Sequence, residues 1–212
     1  MALNEIPEYG FEHSGPAHTM AYLTPAIGAL LGDRLAEGVR VLDVGCGNGW
    51  LVNWFIGHGA VGVGIDASEQ GIEQARKAFP KGRFERLLAD DRVLENLGEE
   101  PFDIVVSTEV VEHLYDPRSW ARGCMAAVRG GGRFVCTTPY HGWMKNVAVA
   151  VMNKFDHHMN PLWDGGHIKF WSPSTLGTLL REAGFVDVRW KGAGRLPLLW
   201  KSMVMSGDRP GS

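Results

Sequence analysis

The stretch Val41-Leu42-Asp43-Val44-Gly45-Cys46-Gly47-Asn48-Gly49-Trp50 decides how the rest of this chain is read. A short apolar run with the signature of a buried strand passes into three alternating glycines, and Trp50 then opens a helical pattern through Ile56. Glycine turns tightly and lets the backbone approach a ligand where a Cβ would clash. Asp43 stands just ahead of the first glycine, and Asp66 follows a second apolar run, residues 60–65. A carboxylate there can accept the hydroxyls of a ribose at the mouth of an open α/β sheet, since ligands of such sheets gather outside the carboxyl ends of the strands.

Outward from this turn the chain alternates strand and helix. Strands are expected at 39–44, 60–65, 84–89, 102–107 and 133–138, the last entered through Gly130-Gly131-Gly132. Helices are expected at 19–31, where Pro25 and Gly28 intrude, at 68–78 with Ser68 as N-cap, and at 120–128. A further helical stretch follows residue 107, and Pro117 cuts into it. This alternation predicts an α/β fold whose sheet is covered on both faces. The rhythm breaks over 139–171, which holds Trp143, Phe155, Trp163, Phe170 and Trp171 with His141, His157, His158 and His167. A helix restarts near Ser174 and stops at Gly184, and strands at 185–190 and 198–205 close the chain. The expected organisation is a single domain: an N-terminal lid and helix (1–37), a ligand-binding core (38–138), a substrate-cap insertion (139–171), and a C-terminal helix with closing strands (172–212).

Composition narrows the partners. The chain has 212 residues, 45% of them hydrophobic and 21% charged, as expected of a globular protein with a sizeable core. Its 28 glycines are unusual, and its net charge of −3 gives no basic footprint, which argues against a duplex nucleic-acid partner. Cys46, Cys124 and Cys136 are scattered, without a CxxC pair, which argues against a disulfide framework or a zinc knuckle. The opening MALNEIPEYGFEHSG lacks the apolar core of a signal peptide, and no apolar run reaches the roughly 20 residues that span a bilayer. A reducing, cytoplasmic setting is expected.

Three readings of the glycine turn compete: a structural turn, a nicotinamide dinucleotide site as in an NAD-dependent dehydrogenase, or a site for another nucleoside. The dinucleotide fingerprint is GxGxxG, whose third glycine lets the helix pack close beneath a pyrophosphate. Here the spacing is GxGxG with an acid ahead of it, which suits a ligand bearing an ammonium and a positive sulfur. VLDVGCGNGW resembles motif I of the class I S-adenosylmethionine-dependent methyltransferases, and VGVGIDAS resembles their following acidic segment. The similarity continues in order through LLADD, FDIVVSTEVVEHLYDP and GGRFVCTTP, covering roughly residues 38–140, and LWKSMVMSGDRP resembles the family's reversed terminal hairpin. Within the superfamily, EVVEH and GGHIKFWSPSTLGTLLREAGF are similar to the UbiG-type O-methyltransferase branch.

The resemblance implies a Rossmann-like, seven-stranded, mostly parallel sheet with helices on both faces, S-adenosyl-L-methionine as donor and S-adenosyl-L-homocysteine as product. It implies that Asp43, Gly45, Cys46, Gly47 and Gly49 hold the methionine moiety and that Asp66 binds the ribose. Ala67 and Ser68 would flank the adenine, Asp90 or alternatively Asp91 would reach its amino group, and Ser107, Thr108 and Glu109 would lie beneath the donor. A hydroxyl acceptor needs a base, and the candidate is His113. With a helix starting after Thr108, Glu109 and His113 would share a face and Glu109 would orient the imidazole. The branch further implies a divalent metal such as Mg on Glu109, Glu112 and His113. His141, just after the fifth strand, is a further catalytic candidate, and the histidines and aromatics of 139–171 are expected to line the acceptor pocket. The apolar segment 143–155 is either a core helix or a surface for a membrane or a long apolar substrate. Tyr9, Phe11, His13, His18 and Tyr22 are expected in a lid over the donor. The acceptor is expected to be a small or medium organic molecule with a hydroxyl of phenol or quinol type. An N- or C-acceptor on the same fold is the alternative, and oligomeric state is open.

Overall fold

The computed structural model describes residues 3, 10–11, 13–163 and 165–211. Its sheet contains β1 (Arg40–Val44), β2 (Val61–Asp66), β3 (Arg83–Arg86), β4 (Phe102–Thr108), β5 (Val128–Pro139), β6 (Val186–Ala193) and β7 (Ser202–Asp208). The spatial order is β3-β2-β1-β4-β5-β7-β6. Strands β1 to β5 pair in parallel, while β7 runs antiparallel to both β5 and β6. Strand order therefore reverses between β1 and β4, and the carboxyl ends of those two strands form the natural crevice for a ligand.

Helices α1 (Met20–Leu31), α2 (Trp50–Gly57), α3 (Glu69–Ala78), α4 (Val93–Leu97), α5 (Pro117–Ala127), α6 (Trp143–Val151), α7 (Phe155–Met159) and α8 (Pro173–Glu182) clothe the sheet. Leu42, Val105, Trp120, Phe134 and Leu180 belong to the core on one face, and Leu23, Ile27, Val41, Phe55 and Val204 to that on the other. Strand β1 is buried almost throughout, because parallel strands covered on both sides carry continuous apolar runs. One polar chain links sheet and helix inside this core: Trp120 Nε1 donates to Ser107 Oγ (3.2 Å), which donates to Val44 O (2.7 Å).

Several boundaries depart from the sequence reading. Strand β3 ends at Arg86, and the last strand begins at Ser202 because Leu198 lies in a turn with φ +66°. Pro117 starts α5 instead of cutting a helix: it occupies the first turn, where its missing N–H costs nothing, and Asp116 Oδ1 caps the helix by accepting from Ser119 N (3.0 Å). Ser68 does cap α3, its Oγ accepting from Gly71 N at 3.0 Å.

Candidate active site

All three glycines of the turn hold positive φ, and two are required by the protein's own packing. A Cβ on Gly45 would run into Val110, and one on Gly49 would stand 2.6 Å from Ala75 Cβ. At Gly47 a Cβ would lie 2.7 Å from the ring of Phe11, so bare backbone here lets the N-terminal segment lie down on the turn. Asn48 Nδ2 donates to the carbonyls of His13 (2.8 Å) and Gly15 (2.9 Å), and Gln70 and Gln74 donate to that of Phe11. Of the expected lid, Phe11 and His13 make these contacts, His18 is exposed just before α1, and Tyr22 lies on α1 beside Ser202 (3.5 Å). Tyr9 lies outside the described residues.

Asp43 is 1% exposed, and among the described residues neither of its carboxylate oxygens has a hydrogen-bond partner. Burial, and then the charge of Asp66, pushes its pKa up to about 8. A buried carboxyl without a donor is costly, and a ligand's ammonium is the group that would relieve it, so the residues fit the methionine end of the donor. Asp66 Oδ2 accepts from Gly47 N and Oδ1 from Ser68 N, both at 2.8 Å. Cys46 turns its thiol into the apolar cluster of Val52, Ile72, Ala75 and Phe84, so its backbone is what faces the turn. The Ala67 carbonyl accepts from Arg86 Nε at 3.0 Å. Asp90 lies beyond the end of β3, with Oδ1 accepting from Arg92 N (2.9 Å), whereas Asp91 pairs outward with Arg122 (3.1 Å).

The segment after β4 corrects the sequence reading. No helix begins after Thr108: Glu109 adopts φ +54°, a left-handed value costly for a side chain, and residues 111–113 form a turn. Glu109 and His113 therefore share no helical face. Glu109 turns inward, where Oε1 accepts from Thr137 Oγ1 (2.8 Å) and Oε2 from Ser202 Oγ (3.4 Å). Burial raises its pKa to about 7.

His113 is oriented by backbone instead. Its Nδ1 lies 2.7 Å from Gly165 O and 3.2 Å from Gly166 O. Both partners are acceptors, so Nδ1 is the donor, and the tautomer that this pairing selects has its lone pair on Nε2. Glu112 is buried beside it, with Oε2 accepting from Thr138 Oγ1 (3.0 Å) and Oε1 without a partner among the described residues. Ligand atoms of Glu112, His113 and His167 all lie within 4.8 Å of one another. This group shares Glu112 and His113 with the metal set that the resemblance implies and has His167 where that set has Glu109. His167 was visible in GGHIKF, but nothing local tied it to His113; the connection is tertiary. Ile168 N and Lys169 N both donate to Glu112 O (2.9 and 3.0 Å), and Trp171 Nε1 donates to Val111 O (3.3 Å), stitching the 139–171 excursion onto the turn.

His141 is buried elsewhere in the same cap, against His158 and Phe170 (ring centroids 5.5 and 5.1 Å), and burial lowers its pKa to about 4. The side chain of His157 lies outside the described set. Segment 143–155 is no plain core helix: on α6, Trp143, Val147 and Val151 form a four-residue-spaced stripe that is 74%, 53% and 82% exposed. No helix among the described residues is long and apolar enough to cross a membrane.

Comparison with known proteins agrees with this geometry. The family model described as "Methyltransferase domain" matches residues 17–189. A ubiquinone biosynthesis O-methyltransferase of Ruegeria sp. is 35% identical over 182 residues, 83% of this chain and 72% of its own length. Its namesake from Ruegeria pomeroyi is likewise 35% identical, over 83% and 71%. Among solved structures, an S-adenosylmethionine-dependent methyltransferase from Mesorhizobium loti superposes with a TM-score of 0.66 at 22% identity, covering 87% of this chain and 96% of that one. An O-methyltransferase family protein from Burkholderia thailandensis gives 0.68 at 16% identity, covering 90% and 57%. The dehydrogenase reading of the glycine turn falls away: the chain belongs to the methyltransferase-domain family and is an S-adenosylmethionine-dependent methyltransferase with a Rossmann-like seven-stranded sheet.

Proposed function

We propose that the chain transfers the methyl group to a hydroxyl oxygen of a phenol- or quinol-type acceptor, with His113 as the base. The observation that carries this reading is the pair of carbonyls on His113 Nδ1: Gly165 O and Gly166 O can only accept there, which selects the tautomer whose basic atom is Nε2. The printed names of the Ruegeria relatives support oxygen as the acceptor atom. The donor brings an electrophilic methyl on a positive sulfur, so the protein's task is approach geometry, exclusion of water and removal of one proton. The acceptor oxygen forms the new C–O bond as the C–S bond breaks and its electron pair goes to sulfur; the hydroxyl proton passes to His113 Nε2. Asp43, the 45–49 turn, Asp66, Ala67, Ser68, Asp90 and Thr108 serve the donor in this reading, and the 139–171 cap, His141 included, serves the acceptor.

His113→Asn tests it, because the asparagine amide can still donate to Gly165 O while the base is gone. Methyl transfer from labelled donor to catechol should fall by about 10²- to 10⁴-fold in kcat, with donor affinity held. Methylation of amines but of no phenol would overturn the reading.

A second reading rests on Glu112 Oε1, buried and, among the described residues, unpartnered within the Glu112, His113 and His167 group. These three residues would hold a divalent cation, and two imidazoles with one carboxylate suit a borderline ion better than Mg. Such an ion would lower the pKa of a coordinated hydroxyl. Dialysis against a chelator should then abolish turnover and Zn or Mn restore it; undiminished turnover ends this reading. The chain's work in a reducing, cytoplasmic setting is supported by three free, buried cysteines.

A further inference from the structure

The two halves of the sheet part where the ligand crevice opens. Parallel pairing between β1 and β4 joins Val41 with Ile104, Leu42 with Val105 and Asp43 with Val106, and stops there. Beyond that point each strand stays with its other neighbour. Val44 still pairs with Ile65 on β2, and Gly45 N and Cys46 N both donate to Ile65 O (2.8 and 2.9 Å). On the other side Ser107 and Thr108 pair with Cys136 and Thr137 on β5, and Glu109 N donates to Thr137 O (3.1 Å). The glycine turn therefore travels with β2 and the end of β4 with β5, as at the switch point of an open α/β sheet.

One hydroxyl crosses the divide where the ladder ends. Ser107 Oγ donates to Val44 O at 2.7 Å, and Ser107 is only 1% exposed. Trp120 Nε1, on α5, donates to the same Ser107 oxygen at 3.2 Å. An indole nitrogen can only donate, so it fills an acceptor site of Ser107 and leaves the hydroxyl hydrogen for the Val44 carbonyl. Trp120 is fully buried, with its ring edge-on to Phe134 (centroids 5.6 Å apart), so a closely packed side chain fixes the Ser107 rotor. Val44 is the residue before the first glycine of the turn, and Ser107 the residue before Thr108. The bridge thus joins the roots of the two sides of the crevice, in a water-free interior where a hydrogen bond is strong.

We propose that Ser107, held by Trp120, is a positioning residue for the methyl donor: its bond to the Val44 carbonyl fixes the spacing between the glycine turn and the end of β4. Ser107 acts through the backbone on both sides and not by touching the donor. The assignment rests on the donor placement given above, with Asp43 and the turn on one side and Thr108 on the other.

The test is calorimetric binding of S-adenosylmethionine and S-adenosylhomocysteine to the full chain. Ser107→Ala should weaken both about 2- to 30-fold, the range for changes that act on a site without contacting its ligand. Trp120→Phe keeps a ring without the N–H and should act in the same direction. The double variant should bind no more weakly than Ser107→Ala alone, because Trp120 works through that hydroxyl. Phe134→Leu, a core change against the Trp120 ring but outside the hydrogen-bonded chain, should lower the urea unfolding midpoint and leave donor affinity in place. Unchanged affinity in Ser107→Ala, additive losses in the double variant, or an equal loss of affinity in Phe134→Leu overturns the assignment. Asp43→Asn tells the two failures apart. If it weakens donor binding while Ser107→Ala does not, the bridge alone is sunk; if it leaves donor binding unchanged, the placement itself is sunk.

Discussion

Asp43 shows how a residue can be costly to the fold and still be kept. It is buried with both oxygens unpartnered among the described residues, near a second acid, Asp66. Its neighbours on the flanking strands, Gly64 and Val106, supply no side-chain donor. Asp43→Asn should therefore leave the ligand-free protein as stable or more so, since an amide avoids the burial of a charge. The same change should weaken binding of the donor about 10- to 100-fold, the worth of a charge-assisted bond to an ammonium. Calorimetry against S-adenosylmethionine with parallel urea unfolding separates the two effects. Loss of stability together with unchanged donor affinity would mean that Asp43 is a structural acid. At this scale the sequence was informative: Asp43, the glycines and Asp66 were legible because their spacing is local and the backbone turn they make needs no distant partner. The surroundings of Lys145 and His167 were not, since each has a contact with a residue far along the chain, Lys201 in one case and His113 in the other.

Among elements, the strand-helix alternation was legible through β5, because each parallel strand is buried on both faces and reads as an apolar run. What misled was the 108–117 connection. EVVEHLYDP has helical spacing, yet Glu109 takes a left-handed φ and Asp116-Pro117 is a cap and first turn, so the helix begins later. Helix α6 is the element whose sequence left two options open, and its stripe of Trp143, Val147 and Val151 lies exposed and outside the core. Met152, Phe155 and Leu162, later in the same stretch of chain, are exposed as well. Sedimentation with anionic phospholipid vesicles is expected to carry the native protein down. Val151→Asp should abolish most of that binding, because a charge on the stripe must stay in water, while donor affinity is unaffected. If native and variant chains remain equally in the supernatant, the stripe has another use.

The buried ionisable groups together give the whole molecule a pH profile. Asp43 and Glu109 have pKa values raised, chiefly by burial, to about 8 and about 7 from 3.8 and 4.5. Between those unfolded and folded values the native chain binds more protons than the unfolded chain, so stability is fully present at acid pH and is lost as pH rises. His141 and His167 work in the other direction: burial lowers both to about 4 from 6.5, so they remove stability as pH falls through that window. The two trends oppose each other below about pH 6.5, where histidines begin to charge. Above it only the carboxyls act until Lys145, lowered to about 8, begins to restore stability at more alkaline pH. Urea unfolding of the ligand-free protein should accordingly give a stability lower at pH 8 than at pH 6.5 by about 2 kcal/mol. Donor binding supplies a sharper version of the same measurement. If an ammonium settles against Asp43, binding drives a proton off that carboxyl, so affinity for S-adenosylmethionine must rise between pH 6.5 and 8, and Asp43→Asn must flatten the rise. A donor affinity indifferent to pH over that range would place the ammonium elsewhere in the crevice and leave the raised pKa of Asp43 as a cost without a ligand to relieve it.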